Sequence, residues 1–179
     1  MSAAETTEET AAKPMTTAQV GKAYFGAHEQ QDLDAAVALF KEGGVDRLHG
    51  LAELRSREEI KGYFQGLYNA LPDYKFEILE FAASGQQAAC RWRVTGTFLG
   101  PGRFQGLAPT GAKLEMEGCD MLRVEDGQIV ENNAYLNGAQ LAQQLGVLPA
   151  PGSFGDRAFT GAFNAKTAAT NALRKLRES

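Results

Sequence analysis

The sequence predicts an α+β fold in which a curved, mostly antiparallel sheet wraps around N-terminal helices, with one extra helix at the C-terminus. Three observations support this fold class. Apolar residues recur at helical spacing from residue 17 to 71, the period changes to two after Pro72, and a helical period returns from Asp156. Helices followed by an antiparallel meander are typical of a domain whose sheet packs on its helices, and such a cone has an open mouth.

Two capping boxes predict where helices begin in the first half of the chain. Thr16–Gln19 starts the first helix, and Ser56–Glu59 starts another. Between them, Asp32 caps a helical continuation that ends at Gly43–Gly44. A short apolar-flanked segment at residues 45–50 follows this continuation.

The second half of the chain is predicted to be a four-stranded meander. Apolar and polar residues alternate in four segments, and Ser84-Gly85 and Asp126-Gly127 indicate turns between them. The predicted strands cover residues 74–81, 88–98, 113–124 and 129–136. Residues 99–112 are rich in Gly and Pro, so they are predicted to form a loop that serves as a lid or as the rim of a pocket.

Two further helices are predicted after the sheet. The first is short and covers residues 141–145, whereas residues 156–178 form a longer amphipathic helix. Its apolar residues are Phe159, Phe163, Leu173 and Leu176. We expect them to dock on a partner subunit or beside the mouth bounded by the 99–112 loop. The predicted organisation is a disordered leader at 1–15, one domain at 16–150 and a helical extension at 151–179.

Composition argues against several classes of function. Lys and Arg number 18 against 22 Asp and Glu, so the net charge of -4 gives no broad cationic surface for nucleic acid. Cys90 and Cys119 lack CxxC or Cys/His spacing, which favours free thiols in a reducing compartment over a metal site. No signal-peptide pattern or bilayer-spanning stretch is present in the sequence. We therefore expect a cytoplasmic protein with no cofactor, no metal, and no nucleic-acid or membrane partner.

Asp120 gives the strongest indication of a pocket. Even positions form the apolar face of the strand predicted at 113–124. These positions are Leu114, Met116, Gly118, Asp120, Leu122 and Val124. A carboxylate on that face must be paired, hydrogen-bonded or held neutral, because an isolated buried charge is too costly. A structural acid paired with an internal Arg, His or Tyr is the alternative.

Several short motifs occur in an order that resembles a known family. The motifs are WRVTGTF at 92–98, FQG at 104–106, PTG at 109–111, RVEDGQI at 123–129 and QLG at 144–146. The chain from about Tyr24 to Pro149 resembles the SnoaL-like polyketide cyclases of the NTF2-like superfamily. This resemblance implies an NTF2-like cone, but that fold hosts many activities and does not identify one.

A narrower resemblance concerns the chemistry. The segment from Asp120 to Val124 is similar to the ketosteroid isomerase strand that carries the protonated aspartic acid of the oxyanion hole. Tyr24 resembles in position the oxyanion-hole tyrosine of those enzymes. The resemblance implies that Asp120 and Tyr24 donate hydrogen bonds to an enolate oxygen in an apolar pocket. A core aromatic on a helix stripe is the alternative role for Tyr24.

The general base is matched less well. The isomerases carry an Asp after the first helical region. In the corresponding stretch of this chain, the residue that aligns nearest to that Asp is Arg47. His49 is the expected base because imidazole titrates near neutral pH. Asp46, one residue off in register, is the alternative base, and a structural role is the alternative for His49.

The resemblance to the cyclases also has a departure. Their catalytic Asp lies on the last strand, where this chain carries Asn137, and an amide cannot transfer a proton. We expect Asn137 to orient the substrate instead. The full set of expected substrate contacts is Asn137, Trp92, Tyr135, Phe64, Tyr68 and Asn133. His28 is expected to be a surface or capping residue.

The leading functional hypothesis is a cofactor-independent isomerase or cyclase. It would act on an apolar, carbonyl-bearing small molecule of polyketide, steroid or terpenoid type, by proton abstraction and enolate stabilisation. The competing hypothesis is a catalytically silent NTF2-like ligand-binding or scaffold protein. In either case we expect a homodimer formed through the exposed face of the sheet.

Overall fold

The computed structural model describes residues 13–178, so the leader predicted for residues 1–15 lies almost wholly outside the described residues. Within residues 13–178 the chain forms five helices and six strands. The helices are α1 (Thr17–Glu29), α2 (Leu33–Ala38), α3 (Arg57–Ala70), α4 (Gly138–Gln144) and α5 (Phe154–Glu178). The strands are β1 (Phe40–Leu48), β2 (Ala52–Leu54), β3 (Lys75–Ser84), β4 (Gln87–Thr97), β5 (Lys113–Glu125) and β6 (Gln128–Leu136).

The six strands form one curved sheet in the order β2-β1-β6-β5-β4-β3. Every neighbouring pair is antiparallel except β1 and β6, which run parallel. The register shifts in three of the pairs, and such bulges bend and twist a strand. The helix α1 packs against β3, β4 and β5 on the concave face. The predicted α+β architecture is confirmed.

The capping box predicted at the start of α1 is formed in full, and the one predicted at α3 is formed on the Ser56 side only. Thr16 accepts a hydrogen bond from the backbone N–H of Gln19, and the Gln19 side chain bonds back to Thr16. At α3, the Ser56 hydroxyl accepts from the backbone N–H of Glu59. These bonds satisfy N–H groups that have no partner inside the helix.

The prediction that the helix after Asp32 continues to Gly43–Gly44 is wrong. The helix after Asp32 ends at Ala38, and Phe40 begins strand β1 instead of continuing the helix. Gly43 has a φ of 75° and lies in a bulge of β1, not at a helix end. An added Cβ at Gly44 would lie 2.9 Å from the Ile129 carbonyl oxygen, so glycine permits close approach to β6.

The last helix, α5, leaves its apolar side chains exposed within this chain. Phe159, Phe163 and Leu173 are each about 60% exposed (60%, 61% and 61%). These side chains do not pack beside the mouth, so that half of the docking prediction is wrong, while docking on a partner subunit stays a prediction. None of the helices within residues 13–178 combines the length and the apolar character needed to cross a membrane.

Candidate functional site

A cavity of about 280 Å³ lies between α1, α3, α4 and the concave face of the sheet. Its size is near the lower end for small-molecule sites. The wall is mainly aromatic and aliphatic, and its polar members are Tyr24, His28, Tyr63, Tyr74, Trp92, Gln105 and Asp120. Val147 belongs to the wall and is 55% exposed, so the cavity reaches the surface beside it. Phe104, Gln105 and Leu107 bring the predicted rim loop to the same cavity.

Asp120 lies in the cavity wall on β5, on the face that strand parity predicts. Its Oδ1 accepts a hydrogen bond from Trp92 Nε1 at 2.8 Å, and its Oδ2 accepts one from Asn132 Nδ2 at 2.8 Å. Burial raises the pKa of Asp120, while both N–H donors oppose the rise by stabilising the anion. Asp120 is therefore a buried carboxyl group whose anionic form is stabilised by two N–H hydrogen-bond donors.

The contact from Trp92 depends on a glycine. Gly118 is the register partner of Trp92 in the neighbouring strand. An added Cβ at Gly118 would overlap the Trp92 ring and would also lie 2.7 Å from the Tyr135 carbonyl oxygen. The missing side chain thus leaves the space in which the indole reaches Asp120.

Asp46 is a second buried acid, and it lies on β1 with its side chain on the concave face. Its Oδ1 accepts a hydrogen bond from Asn132 Nδ2 at 3.0 Å, and the Tyr24 hydroxyl donates to its Oδ2 at 3.4 Å. Burial, together with the negative charge of Asp120, raises the pKa of Asp46 to about 8. The surroundings therefore favour the protonated form of Asp46 more than water does.

These contacts connect Tyr24 to Asp120 through two intervening residues. The Tyr24 hydroxyl donates to Asp46, and Asn132 donates to both Asp46 and Asp120. Burial and the two nearby acids raise the pKa of Tyr24 well above its usual value, so its hydroxyl stays protonated. Tyr24 and Asp120 both lie in the cavity wall.

His49 does not reach the cavity, which corrects the expectation that it is the base. The residue follows β1, is exposed, and stacks on Tyr135 with 4.3 Å between ring centroids. Its Nε2 lies 3.0 Å from Asn133 Oδ1. Alternation along β1 and β6 explains this placement, because Leu48 and Ala134 point inward and their neighbours point to the convex face. The expected substrate contacts of Asn133 and Tyr135 are wrong for the same reason.

The four other expected contacts have mixed outcomes. Asn137 is exposed and caps α4, since its Oδ1 accepts from the Gln140 backbone N–H at 3.1 Å. It is a helix cap and does not belong to the cavity wall. Trp92 and Phe64 do lie in the wall. Tyr68 lies behind it and contacts His28, whose Nδ1 is 2.9 Å from the Tyr68 hydroxyl oxygen.

Sequence reasoning missed two buried polar residues. His28 was expected at the surface, but it is only 4% exposed and lies in the cavity wall one helical turn after Tyr24. Burial lowers its pKa to about 4, so the imidazole is neutral at physiological pH. Asn132 is fully buried and donates to both acids. The spacing of four residues from Tyr24, and strand parity with Ala134, are the signals that could have found them.

Thiols and metal ligands do not add a second centre in the described part of the chain. Cys90 and Cys119 are free, and burial raises the pKa of the Cys90 thiol to about 12. No group of three or more His, Cys, Asp or Glu residues within 13–178 is arranged to hold a metal ion.

Comparison with solved structures identifies the same fold in several bacterial proteins. AclR, a proposed hydroxylase from Streptomyces galilaeus, superposes with a TM-score of 0.63 at 24% identity, over 89% of this chain and 95% of that one. IdmH, a proposed polyketide cyclase from Streptomyces antibioticus, gives 0.61 at 26% identity, over 74% and 99%. A Catenulispora acidiphila protein with a ketosteroid isomerase-like fold gives 0.60 at 20% identity, over 73% and 95%. The predicted NTF2-like fold is confirmed.

Comparison at the level of sequence families gives the assignment. No curated protein matches the chain. The family description that matches is "SnoaL-like polyketide cyclase", and it covers residues 18–145, which include both buried acids, Asp46 and Asp120. The membership supports a general cyclase or isomerase type of role. With its conical sheet, its apolar cavity and this match over most of its length, the chain belongs to the SnoaL-like polyketide cyclase family.

Proposed function

We propose that this protein is a cofactor-independent isomerase or cyclase that acts on an apolar, carbonyl-bearing small molecule of polyketide, steroid or terpenoid type. One observation carries the proposal. Asp46 and Asp120 accept hydrogen bonds from the same amide nitrogen of Asn132 beside an apolar cavity, and Tyr24 contacts that pair. Pairs of titratable groups with different environments are typical of acid/base sites.

The hydrogen bonds support a pair that holds one proton in total. Two carboxyl groups that share a donor cannot both be charged at low cost. Asp120 accepts two short N–H bonds, while Asp46 accepts one N–H bond and one long O–H bond. The anion is therefore better stabilised at Asp120, and the proton resides on Asp46. This reverses the role that the resemblance to ketosteroid isomerases implied for Asp120.

The proposed reaction uses Asp120 as the base and Tyr24 as the hydrogen-bond donor to the substrate oxygen. The Asp120 carboxylate removes a proton from the carbon beside the substrate carbonyl, and the electron pair of the broken C–H bond forms the enolate. When the ligand binds, the Tyr24 O–H turns from Asp46 Oδ2 to the enolate oxygen, and protonated Asp46 then donates its own O–H to the Tyr24 oxygen. The proton on Asp120 then returns to another carbon in an isomerisation. In a cyclisation, the enolate carbon attacks a second carbonyl carbon, and the new alkoxide takes that proton.

The apolar wall supports this chemistry. In a cavity with few competing water molecules, a hydroxyl donor stabilises a developing oxyanion more strongly than it does in bulk water. The same wall favours a ligand that is apolar apart from its carbonyl groups.

Proton exchange tests the proposed function without knowledge of the natural substrate. 2-Tetralone, an apolar bicyclic ketone, is incubated with the protein in D₂O, and loss of its α-proton signals is followed by NMR with a buffer blank. We expect Asp120→Asn to lower the protein-dependent rate by about 10²–10⁴-fold and Tyr24→Phe by about 10²-fold. His49→Ala is the control and should leave the rate unchanged. Equal rates for Asp120→Asn and the unaltered protein would favour the silent binding protein.

The assembly and the location are separate proposals. We propose a homodimer through the convex face of the sheet, where Met121 and Tyr135 are 45% and 48% exposed between Arg and Glu side chains. A curved sheet covered on one face leaves the other face available to a two-fold partner. The free thiols of Cys90 and Cys119 favour a reducing compartment such as the cytoplasm.

A further inference from the structure

His28 and Tyr68 form a buried polar pair that the proposed reaction does not use. His28 is 4% exposed and Tyr68 is 7% exposed, and Nδ1 of His28 lies 2.9 Å from the Tyr68 hydroxyl oxygen. The imidazole is surrounded by aromatic rings, with 4.8 Å between its centroid and that of Tyr24 and 4.7 Å to that of Phe64. A polar group in such surroundings requires hydrogen-bond partners.

Only one of the two ring nitrogens of His28, Nδ1, has a hydrogen-bond partner in the described part of the chain. A neutral imidazole carries one N–H. If Tyr68 donates its O–H to Nδ1, the N–H is on Nε2, which forms no hydrogen bond within residues 13–178 and belongs to a residue of the cavity wall. If Nδ1 carries the hydrogen instead, both the Tyr68 O–H and Nε2 lack partners. The first arrangement leaves fewer unsatisfied groups and is therefore favoured.

We propose that His28 Nε2–H binds a second acceptor oxygen of the ligand, so that the preferred substrate carries two oxygen groups along one edge of an apolar frame. His28 would be a specificity-determining residue, and Tyr68 a positioning residue that fixes the imidazole tautomer. The inference rests on the proposed function only for the site of the first oxygen, at Tyr24 and Asp120.

The spacing of the two sites follows from the helix. Tyr24 and His28 are four residues apart on α1, so their side chains leave the same face about 5–6 Å apart at Cβ. Both residues lie in the cavity wall. A ligand whose oxygens are separated by a few bonds can contact both, whereas a ligand with a single oxygen leaves the Nε2–H group facing an apolar ligand surface without an acceptor. Sites built to bind an oxygen discriminate against analogues that lack it.

The tautomer is the first test, and it needs no ligand. The chain has only two histidines, His28 and His49, and His49 is exposed, so a ¹⁵N-histidine NMR spectrum contains one buried and one exposed ring. We expect the His28 signals of a neutral ring protonated at Nε2, and we expect Tyr68→Phe to change the tautomer ratio. A ring protonated at Nδ1 in the unaltered protein would overturn the proposal.

Matched ligands provide the second test. The probes are the acetyl-2-naphthols with the ketone at different ring positions, each compared with the isopropyl-2-naphthol of the same shape. Calorimetry should show at least one acetyl isomer that binds about two- to tenfold more tightly than its isopropyl counterpart, as expected for one hydrogen bond. His28→Phe should abolish this preference and leave the affinity for the isopropyl compound unchanged. Tyr68→Phe should weaken the preference.

His49→Phe is the matched control, because His49 is the other histidine of the chain, is exposed and does not belong to the cavity wall. This variant should keep the preference for the acetyl compound. The proposal is overturned if no isomer pair shows a preference, if no probe binds, or if the preference persists in His28→Phe. These readouts are equilibrium affinities, so they are independent of the exchange rates by which the base role of Asp120 succeeds or fails.

Discussion

Asp46 and Asp120 come from strands that are not neighbours in the sheet, yet both accept a hydrogen bond from Asn132 Nδ2, at 3.0 and 2.8 Å. The strand between them, β6, supplies the amide. Two buried acids bound to one donor retain a shared proton, because burial and mutual repulsion both disfavour the doubly charged state. The location of that proton decides which acid can act as the base.

The pH dependence of stability should reveal the proton on Asp46. The pKa of Asp46 is raised to about 8, so its contribution to stability is fully present below the pKa of the unfolded chain and is lost as pH rises toward 8. His28 acts in the opposite direction, because its pKa is lowered to about 4 and its contribution is lost as pH falls from 6.5 to 4. The change in the free energy of unfolding between pH 6.5 and 8 therefore reports the ionisation of the acid pair.

Asp46→Asn should remove most of this dependence. In the unaltered protein we expect the free energy of unfolding in urea to fall by about 1–2 kcal/mol between pH 6.5 and 8. The amide of the variant does not ionise, so its stability should be nearly constant over the same interval. A parallel decline in both proteins would show that Asp46 is not the group that holds the proton.

The glycine beside Trp92 should be sensitive to substitution. Gly118→Ala would force the indole away from Asp120, because the new Cβ overlaps its ring. We expect a loss of about 1–3 kcal/mol in the free energy of unfolding and slower exchange of 2-tetralone. Gly26→Ala is the matched control, since nothing lies within 4 Å of its Cβ position in α1, and it should raise stability by about 0.5–1 kcal/mol. Similar effects for the two variants would contradict the account of Gly118.

The hydrogen bond from Asn132 should lower the pKa of Asp120, the proposed base. Asn132→Leu removes one N–H donor from Asp120 and so raises the pKa of that carboxyl group. Since the exchange rate falls as the base becomes protonated, the acidic limb of the pH–rate profile should move to higher pH. Asn133→Leu changes an amide on the convex face and should leave the profile in place. An unmoved limb in Asn132→Leu would remove Asp120 from the role of base.

The exposed face of α5 should affect assembly. A 25-residue helix with exposed Phe159, Phe163 and Leu173 is marginal in water unless its apolar face is covered. Truncation after Gly152 should lower the melting temperature or convert a dimer to a monomer in light scattering. Phe159→Ala should act in the same direction, and Thr160→Ala, on another face of the helix, should not. Unchanged mass and melting curve after truncation would make α5 a passive extension.

The fold was predictable because its signals are local. Capping boxes, the change of period after Pro72 and the Asp126-Gly127 turn each depend on a few adjacent residues, and the structure forms the corresponding elements. The prediction of a helix up to Gly43–Gly44 failed because the conformation of that segment depends on a distant strand. Gly44 looks like a helix end in sequence, but the glycine is needed for contact with Ile129 on β6.

The site was predictable only in part, for a similar reason. Strand parity correctly placed Asp120 on the inner face, since alternation within one strand is a local property. The partners of Asp120 come from β4 and β6, and their contacts arise from strand register. The register of β1 against β6 turns Asp46 inward and His49 outward.

The protonation states of the two acids test the central claim most directly. ¹³C NMR of protein labelled at the Asp side-chain carboxyl carbons resolves each group, and Asp46→Asn and Asp120→Asn assign the two buried signals. At pH 7 we predict that Asp120 gives the signal of a carboxylate and Asp46 that of a protonated acid, and that Asp46 titrates near pH 8. A protonated Asp120 beside an ionised Asp46 at pH 7 would contradict the account and restore Asp120 to the role of hydrogen-bond donor.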